Sequence, residues 1–391
     1  MKLASSKLLL AALASMIVSI IIVLLFPRSI AFIFTGANRM ESYTMYYYFE
    51  YIRPSRGTEI QPDTCVSIYN VANKNKNISD REWLTMQLDT LLKYKPRVVL
   101  FDIVLSDDHE NPYNDSIQVR LKKLNESCER LAVAAIYDPE GDSLIHSFFT
   151  EPLGLEYGHT IPDKYEDPIQ VKKTINHKKD SLYWLPFMID SCYTNYKVPC
   201  NRRLNYSRRE FHLLDAYLDP RDSENYEVEK NDTIRKHEFL SNKIVIVGLN
   251  DYNDRHPYEF LRFAPWYKSD VHANYGTYFL AIAVANKVAN NWITLVGWLG
   301  SIFFDFFLLL VFVISHSLLV AALDNVRNSK SASVLKIIMT IFLIFVFELY
   351  LIPLVGSLPM TWCYSFDLCY VLLAIVLFPS VQSVIDVLLK K

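Results

Sequence analysis

The side chains best suited to chemistry in this chain are acids, amides and histidines at or after the ends of three apolar runs in its long polar middle part. They are Asn70, Asp102, Asp107, Asn250, Asp254, His256 and His272. In an open parallel sheet, ligands settle beyond the carboxyl ends of the strands, where loops and helix N-termini converge. The positions therefore predict a polar pocket for a small ligand or a cation, with Asp102, Asp254 and His272 in direct contact with it. The alternative is that these side chains cap loops and brace packing, because acidic residues are common where strands end.

No catalytic pattern accompanies these residues. Asp107, Asp108, His109 and Glu110 are consecutive, so their side chains point in different directions and lack the ligand spacing of zinc or calcium sites. The sequence contains no serine elbow, and its ten glycines leave little room for a phosphate-binding loop. We therefore expect a protein that is not an enzyme and that holds neither a metal nor a cofactor. A net charge of −2 without a polybasic tail argues against binding to nucleic acid.

The elements that would position the polar residues alternate between strands and helices. Apolar, β-branched runs occupy residues 65–69, 97–105, 131–137 and 243–249. Near-continuous apolar strands separated by amphipathic helices are typical of a parallel sheet covered on both faces. Residues 139–240 break this rhythm, and they predict antiparallel strands and long loops. The predicted fold class is thus α/β, with a mostly parallel sheet and antiparallel additions.

Three helices are predicted between and after these strands. Asp80 would cap the first helix, and either Asn114 or Asp115 would cap the second. The third helix follows Asp270 and runs from residue 272 to residue 288, towards the next apolar segment. The inward-facing apolar residues of the first two helices follow helical spacing. They are Leu84, Leu88, Leu91 and Leu92 in the first helix, and Ile117, Leu121 and Leu124 in the second.

Four apolar segments are long enough to cross a hydrocarbon layer of ~30 Å. They occupy residues 8–26, 293–320, 337–355 and 364–388. The basic residues Lys2, Lys7, Arg327, Lys330, Lys336, Lys390 and Lys391 flank them on one side. The positive-inside rule makes this side cytoplasmic, so both termini are expected in the cytoplasm and the large domain outside. A cleaved signal peptide is the rival interpretation of residues 1–26, but the apolar run is long for a signal core, which favours an uncleaved anchor.

This arrangement divides the chain into three predicted parts. Residues 1–28 form the cytoplasmic N-terminus and the first membrane helix, residues 29–291 form the extracytoplasmic domain, and residues 292–391 form three membrane helices with short loops. Outside the cytosol a disulfide is permitted, and Cys192 and Cys200 lie close enough in a loop-like stretch to form one. Cys65 and Cys128 are expected to be buried thiols.

Two acids interrupt the predicted membrane helices. Counting inwards from Gly297 and Gly356 at 1.5 Å per residue places Asp305 and Glu348 each roughly 12 Å deep. Acidic groups in hydrocarbon are costly and usually face protein, a partner or water. We therefore expect Asp305 and Glu348 to contact a partner's membrane helix or to share a proton within a bundle. The alternative is that snorkelling and protonation suffice. Gly297, Ser301 and Asp305 share one helix face, a pattern that permits close helix contact.

Several segments resemble a known family in their order along the chain. They are DREWLTMQLDTLLKYKPRVVLFDIVLSDD (80–108), RRLNYSRREFHLLDAYL (202–218), LSNKIVIVGLNDYNDRHPYEF (240–260) and VHAN (271–274). Together with one membrane helix before them and three after, they resemble the second class of CHASE domain, a cyclase- and histidine-kinase-associated sensory extracellular domain. The resemblance covers nearly the whole chain.

The resemblance implies a sensory or regulatory protein of the bacterial inner membrane. Its extracytoplasmic domain would bind a small ligand or a periplasmic partner. Relatives commonly continue after the last membrane helix into a cyclase or kinase, whereas this sequence stops at Lys391. The expected partner is thus a separate membrane or cytoplasmic effector, reached through the membrane helices. The alternative is a non-sensory scaffold or docking subunit of an envelope complex.

Overall fold

The structure, a computed structural model, divides into two compact units. It describes residues 2–25, 64–73, 77–105, 111–138, 143–159, 174–177, 180–183, 185–186, 202–203, 212–216, 226–249, 255–256, 274–289, 293–324, 329–359, 364–366 and 368–389. We call residues 59–258 and 269–292 the sheet unit, and residues 1–58, 259–268 and 293–391 the helical unit.

The elements of the two units are as follows. The helical unit contains α1 (Lys2–Leu25), β13 (Ile293–Leu295), α7 (Trp298–Asp324), α8 (Ser329–Val346), a π-helical segment (Phe347–Leu351), α9 (Ile352–Ser357), β14 (Tyr364–Ser365) and α10 (Cys369–Leu388). The helices of the sheet unit are α2 (Asp80–Tyr94), α3 (Asn114–Ser127), α4 (Thr150–Leu153), α5 (Tyr226–Leu240) and α6 (Gly276–Ala289). Its strands are β1 (Val66–Asn70), β2 (Val98–Asp102), β3 (Arg130–Asp138), β4 (Ser143–His146), β5 (Glu156–His159), β6 (Thr174–His177), β7 (Asp180–Tyr183), β8 (Arg202–Arg203), β9 (His212–Asp215), β10 (Ile244–Gly248), β11 (Arg255–His256) and β12 (Asn274–Tyr275).

The main sheet is mostly parallel, as the apolar runs predict. Its order is β4-β3-β2-β10-β1-β9, with β5 also paired to β3. Within it β4 is antiparallel, and β6 and β7 form a separate antiparallel pair. The expectation of antiparallel additions in residues 139–240 is therefore only partly correct, because β5 and β9 lie in this stretch and extend the parallel sheet. Short strands of this kind carry little periodic signal in the sequence.

One face of the sheet is covered by α2 and α3. Their apolar residues form a continuous core with alternate residues of β1, β2, β3 and β10, since successive strand residues point to opposite faces. Tyr69 donates a buried hydrogen bond of 2.6 Å from its hydroxyl to Gln87 Oε1. The indole N–H of Trp83 donates to the carbonyl of Val71 at 3.0 Å. These two bonds tie α2 to the carboxyl end of β1.

The caps of α2 and α3 differ from the predicted ones. Ser79, not Asp80, caps α2, because the Ser79 backbone is extended and its Oγ accepts a hydrogen bond from the Glu82 amide at 3.2 Å. Tyr113 holds the cap position of α3 without a side-chain cap bond, so neither Asn114 nor Asp115 serves there. A hydrogen bond to the Glu82 carboxylate raises the pKa of Tyr113 above its ordinary value.

The structure describes two cysteines of the sheet unit, Cys65 and Cys128. Cys65 is exposed just before β1, which corrects the expectation of a buried thiol. Cys128 is half-buried at the end of α3, where its side chain packs against the core.

In the helical unit, three helices of the described residues are long and apolar enough to cross a membrane. They cover Ser6–Val23, Trp298–Leu323 and Tyr370–Leu388, while Ser333–Val346 is a shorter apolar helix. Helix α1 packs against α10, and α7 packs against α10, α8 and α1. Phe312 of α7 is fully buried between Phe347 and Phe378, with ring centroids 5.2 and 6.0 Å away. Aromatic packing thus joins α7, α10 and the π-helical segment.

Candidate functional site

The carboxyl ends of three neighbouring strands place Asn70, Gly248 and Asp102 side by side. Asn70 of β1 pairs with Gly248 of β10, and Gly248 pairs with Asp102 of β2. Because all three lie at one level of a parallel register, their Cα–Cβ directions point to the same face of the sheet. We call these three residues the carboxyl edge.

Helix α6 begins directly on this edge. A Cβ atom at position 248 would lie 2.0 Å from Thr277 Cγ2 and 3.6 Å from Asp102 Cβ. Thr277, the second residue of α6, is fully buried in this contact. Glycine at 248 is therefore what allows the first turn of α6 to rest on the sheet beside Asp102.

The helices that follow β1 and β10 lie on opposite faces of the sheet. Helix α2 follows β1 and covers the face that carries Tyr69, whereas α6 packs against β1 and β10 on the face to which Gly248 points. Adjacent parallel strands whose connections diverge in this way leave a crevice outside their carboxyl ends. Such a crevice is the usual place for a ligand in an open α/β sheet.

Asn70 and Asp102 have different surroundings at this edge. Asn70 is almost fully buried, and its side-chain oxygen accepts a hydrogen bond from the Ala72 amide at 3.0 Å. This hydrogen bond braces the backbone that follows β1. Asp102 is half-buried beside the start of α6. The partial positive charge at a helix N-terminus favours a carboxylate at this position.

The other predicted site residues are only partly described. His256 lies in β11, which pairs with β12, so that His256 stands opposite Asn274 just before α6. Helix α6 begins at Gly276 rather than near residue 272 because Asn274 and Tyr275 pair as a strand. Four predicted ligand residues and the predicted disulfide lie outside the described residues. They are Asp107, Asn250, Asp254 and His272, together with Cys192 and Cys200. Within the described part, no group of three His, Cys, Asp or Glu side chains could hold a metal.

Sequence reasoning missed Gly248 and Thr277, the two residues that set the geometry of the edge. A signal for Gly248 was present, because a glycine at the end of the apolar run Ile244–Gly248 is typical of a close backbone approach. No comparable signal marked Thr277, whose importance depends on a contact between distant parts of the chain.

The two acids of the helical unit have unlike environments. Asp305 of α7 is fully buried, and its Oδ2 accepts a hydrogen bond of 3.0 Å from the backbone amide of Val371. Val371 lies in the first turn of α10, whose own cap residue, Leu368, makes no side-chain cap bond. Asp305 therefore caps α10 from a neighbouring helix.

Glu348 lies in the π-helical segment. Its side chain is half-buried, and no hydrogen bond or ion pair joins it to any other part of the chain that the structure describes. The segment closes with a bond from the Ile352 amide to the Phe347 carbonyl, just before Pro353. Because proline has no amide hydrogen and its ring clashes with the preceding turn, a wider turn before it relieves the helix.

No protein family, curated protein or solved structure matches this chain. Its function therefore has to be argued from the carboxyl edge, the two acids and the pattern of the sequence.

Replacing Gly248 by alanine tests the contact on which α6 rests. We expect Gly248→Ala to destabilise the sheet unit by about 1–3 kcal/mol, because the new methyl group overlaps Thr277. Gly248→Ala combined with Thr277→Ser should recover most of this loss, since serine keeps the hydroxyl and removes Cγ2. Thermal unfolding and amide exchange of β10 and α6 in the detergent-solubilised chain measure the effect.

A matched control is Gly297→Ala, where a new Cβ meets no atom within 4 Å. It should leave exchange in β10 and α6 unchanged. If the serine substitution fails to rescue Gly248→Ala, the overlap with Thr277 is not the cause of the destabilisation.

The Asp305 bond to α10 predicts a contrast between two substitutions. Asp305→Leu leaves the buried Val371 amide without its acceptor, at a cost of about 1–3 kcal/mol, and should raise amide exchange in the first turn of α10. Asp305→Asn keeps a side-chain oxygen at the same place and should preserve most of the protection. Equal loss in both variants would mean that the charge, rather than the hydrogen bond, holds the helix.

Proposed function

We propose that this chain is a bacterial inner-membrane sensory or regulatory protein. Its extracytoplasmic sheet unit binds a small ligand or a periplasmic partner, and its membrane helices pass the result to a separate protein. The observation that carries this proposal is the position of α6. This helix begins on the carboxyl edge, where a ligand of an open sheet binds, and it ends at Ala289, shortly before α7 begins at Trp298.

The proposed membrane topology has four spans. Three are the long apolar helices, and the fourth is the uninterrupted run of α8, the π-helical segment and α9. At 1.5 Å per residue, such a run exceeds the ~30 Å of a hydrocarbon layer. An even number of spans puts both termini on one side. The basic residues near the helix ends favour the cytoplasm as that side, with the sheet unit outside.

The physical requirement for signalling is a difference in affinity. A ligand shifts an equilibrium between two arrangements only if it binds one of them more tightly. The first turn of α6 supports the proposal, because a group bound beside Asp102 would contact the helix end as well as the sheet, and its affinity would change if α6 moved. We infer that α6 transmits the conformational change, and that small movements at its start alter the segment leading to α7.

Thermal stabilisation by a ligand separates a sensor from a scaffold. We expect the low-molecular-mass fraction of a native periplasmic extract to raise the melting temperature of the full chain in lipid nanodiscs. A ligand at 100 times its dissociation constant stabilises the native state by about 2.7 kcal/mol. Asp102→Ala should abolish the shift and the added amide protection at the start of α6.

The matched control is Asp89→Ala, which removes an acid that pairs with Arg120 on the surface between α2 and α3. It should retain the ligand-dependent shift. If no fraction stabilises the wild-type chain, or if Asp102→Ala responds like the wild type, the ligand does not bind at the carboxyl edge. A periplasmic protein that binds without altering amide exchange in α7 or α10 would favour the scaffold.

A flexible insert tests whether α6 transmits the ligand response to α7. Four glycines placed between Ala289 and Trp298 should leave ligand-induced protection of α6 intact, because the carboxyl edge is unchanged. The same insert should abolish the ligand-dependent change in amide exchange of α7 and α10. Four glycines between Asp324 and Ser329, in the connection of α7 to α8, are the control and should preserve the response. Unchanged coupling across the first insert would show that the signal does not pass along α6.

A further inference from the structure

Helix α8 presents an exposed apolar stripe that ends at an acid. Val334, Ile338, Ile341 and Phe345 are each at least half exposed, at 57, 54, 50 and 56%. They recur at alternating intervals of four and three residues, and the next position of this series is Glu348. Such spacing lines up side chains along one side of a helix, which is the side that a second helix contacts in coiled-coil packing. We call Val334, Ile338, Ile341, Phe345 and Glu348 the α8 seam.

Lipid alone does not account for this seam. Apolar side chains are stable in hydrocarbon, but a glutamate is costly there unless it meets a hydrogen-bond donor or a cation. Asp305 has such a donor in the Val371 amide, whereas Glu348 has no hydrogen bond or ion pair among the described residues. Within the described part of the chain, α7 and α10 contain neither lysine nor arginine. Lys336 of α8 lies twelve residues away, or about 18 Å along the helix.

The π-helical segment adds acceptors but no donor. Because Pro353 has no amide hydrogen, it donates no helical hydrogen bond to a carbonyl of the π-helical segment. A carboxylate and a backbone carbonyl thus lie close together on one stretch of helix. Both groups accept hydrogen bonds, and the side chains that bring several donors and a positive charge are those of lysine and arginine.

We infer that the α8 seam binds a transmembrane helix of another protein, and that this helix carries a lysine or arginine at the depth of Glu348. The inference rests on the proposed function, because the helix would belong to the separate effector. A second copy of this chain does not fit the seam equally well. Two copies would bring one Glu348 against the other, and α7 and α10 of each copy contain neither lysine nor arginine.

Synthetic membrane helices test this chemistry directly. The probe is a helix of about 20 leucines and alanines with a single lysine roughly 12 Å from its outer end, reconstituted with the full chain in phosphatidylcholine vesicles. Energy transfer between a dye on this helix and one at the end of α8 reports association. We expect the lysine helix to associate roughly tenfold more tightly than a helix with leucine at that position. Glu348→Gln should remove most of this difference.

Two controls separate the seam from general attraction of charges. Moving the lysine to the end of the synthetic helix should abolish the preference, since the depths then no longer match. Asp305→Asn should leave it intact, because Asp305 is engaged within the chain. Equal binding of the lysine and leucine helices, or an unchanged preference in Glu348→Gln, would overturn the inference.

Crosslinking in the native membrane tests which molecule binds the α8 seam. A photoreactive residue at Ile341 should trap a protein whose membrane segment contains lysine or arginine, and Glu348→Gln should prevent this adduct. The same residue at Phe307 of α7, which is also exposed, is the control and should not trap that protein. An adduct between two copies of this chain, or lipid adducts only, would overturn the inference. Neither of these crosslinking results depends on ligand binding at the carboxyl edge. The thermal stabilisation experiment therefore tests the proposed function separately.

Discussion

The carboxyl edge depends on one close approach, between the backbone of Gly248 and the side chain of Thr277. Any larger residue at 248 would place its Cβ within 2.0 Å of the threonine methyl group, so α6 could not rest where it does. Interiors are packed at crystal density, and a shift of one helix by a methyl group propagates to its neighbours. The start of α6, the level of Asp102 and the crevice beside β10 are therefore set together by this contact.

The parallel sheet could be predicted because its strands are buried on both faces. Residues 244–248 and 98–102 are apolar almost throughout, and only a strand covered by helices on each side tolerates such a run. The helix caps could not be predicted in the same way. Ser79 and Asp80 are both good capping residues, and the choice depends on which backbone is extended, a property of the preceding loop. The start of α6 was misplaced for a similar reason, because β12 pairs with β11, a contact that leaves no periodic trace.

The candidate site was predictable in position but not in detail. The rule that ligands bind at the carboxyl ends of parallel strands selected Asn70 and Asp102, and the register brings them to either side of Gly248. Their roles follow from hydrogen bonds that the sequence does not contain. Asn70 is occupied with the Ala72 amide, whereas Asp102 borders the first turn of α6. Residue type alone assigned both to one polar pocket, with Asp102 in direct contact with the ligand.

The two acids of the helical unit show the same limit more sharply. By sequence they lie at equal depth on apolar helices, yet Asp305 caps a helix that begins more than sixty residues later in the chain. The first amides of any helix lack partners, and hydrocarbon provides no water to satisfy them. An acid is therefore stabilising where it meets such a helix end. Glu348 meets none among the described residues, and Pro353, which has no amide hydrogen, adds no donor near it. Glu348 and the exposed seam that leads to it, rather than the capped Asp305, therefore carry the proposal of a partner helix.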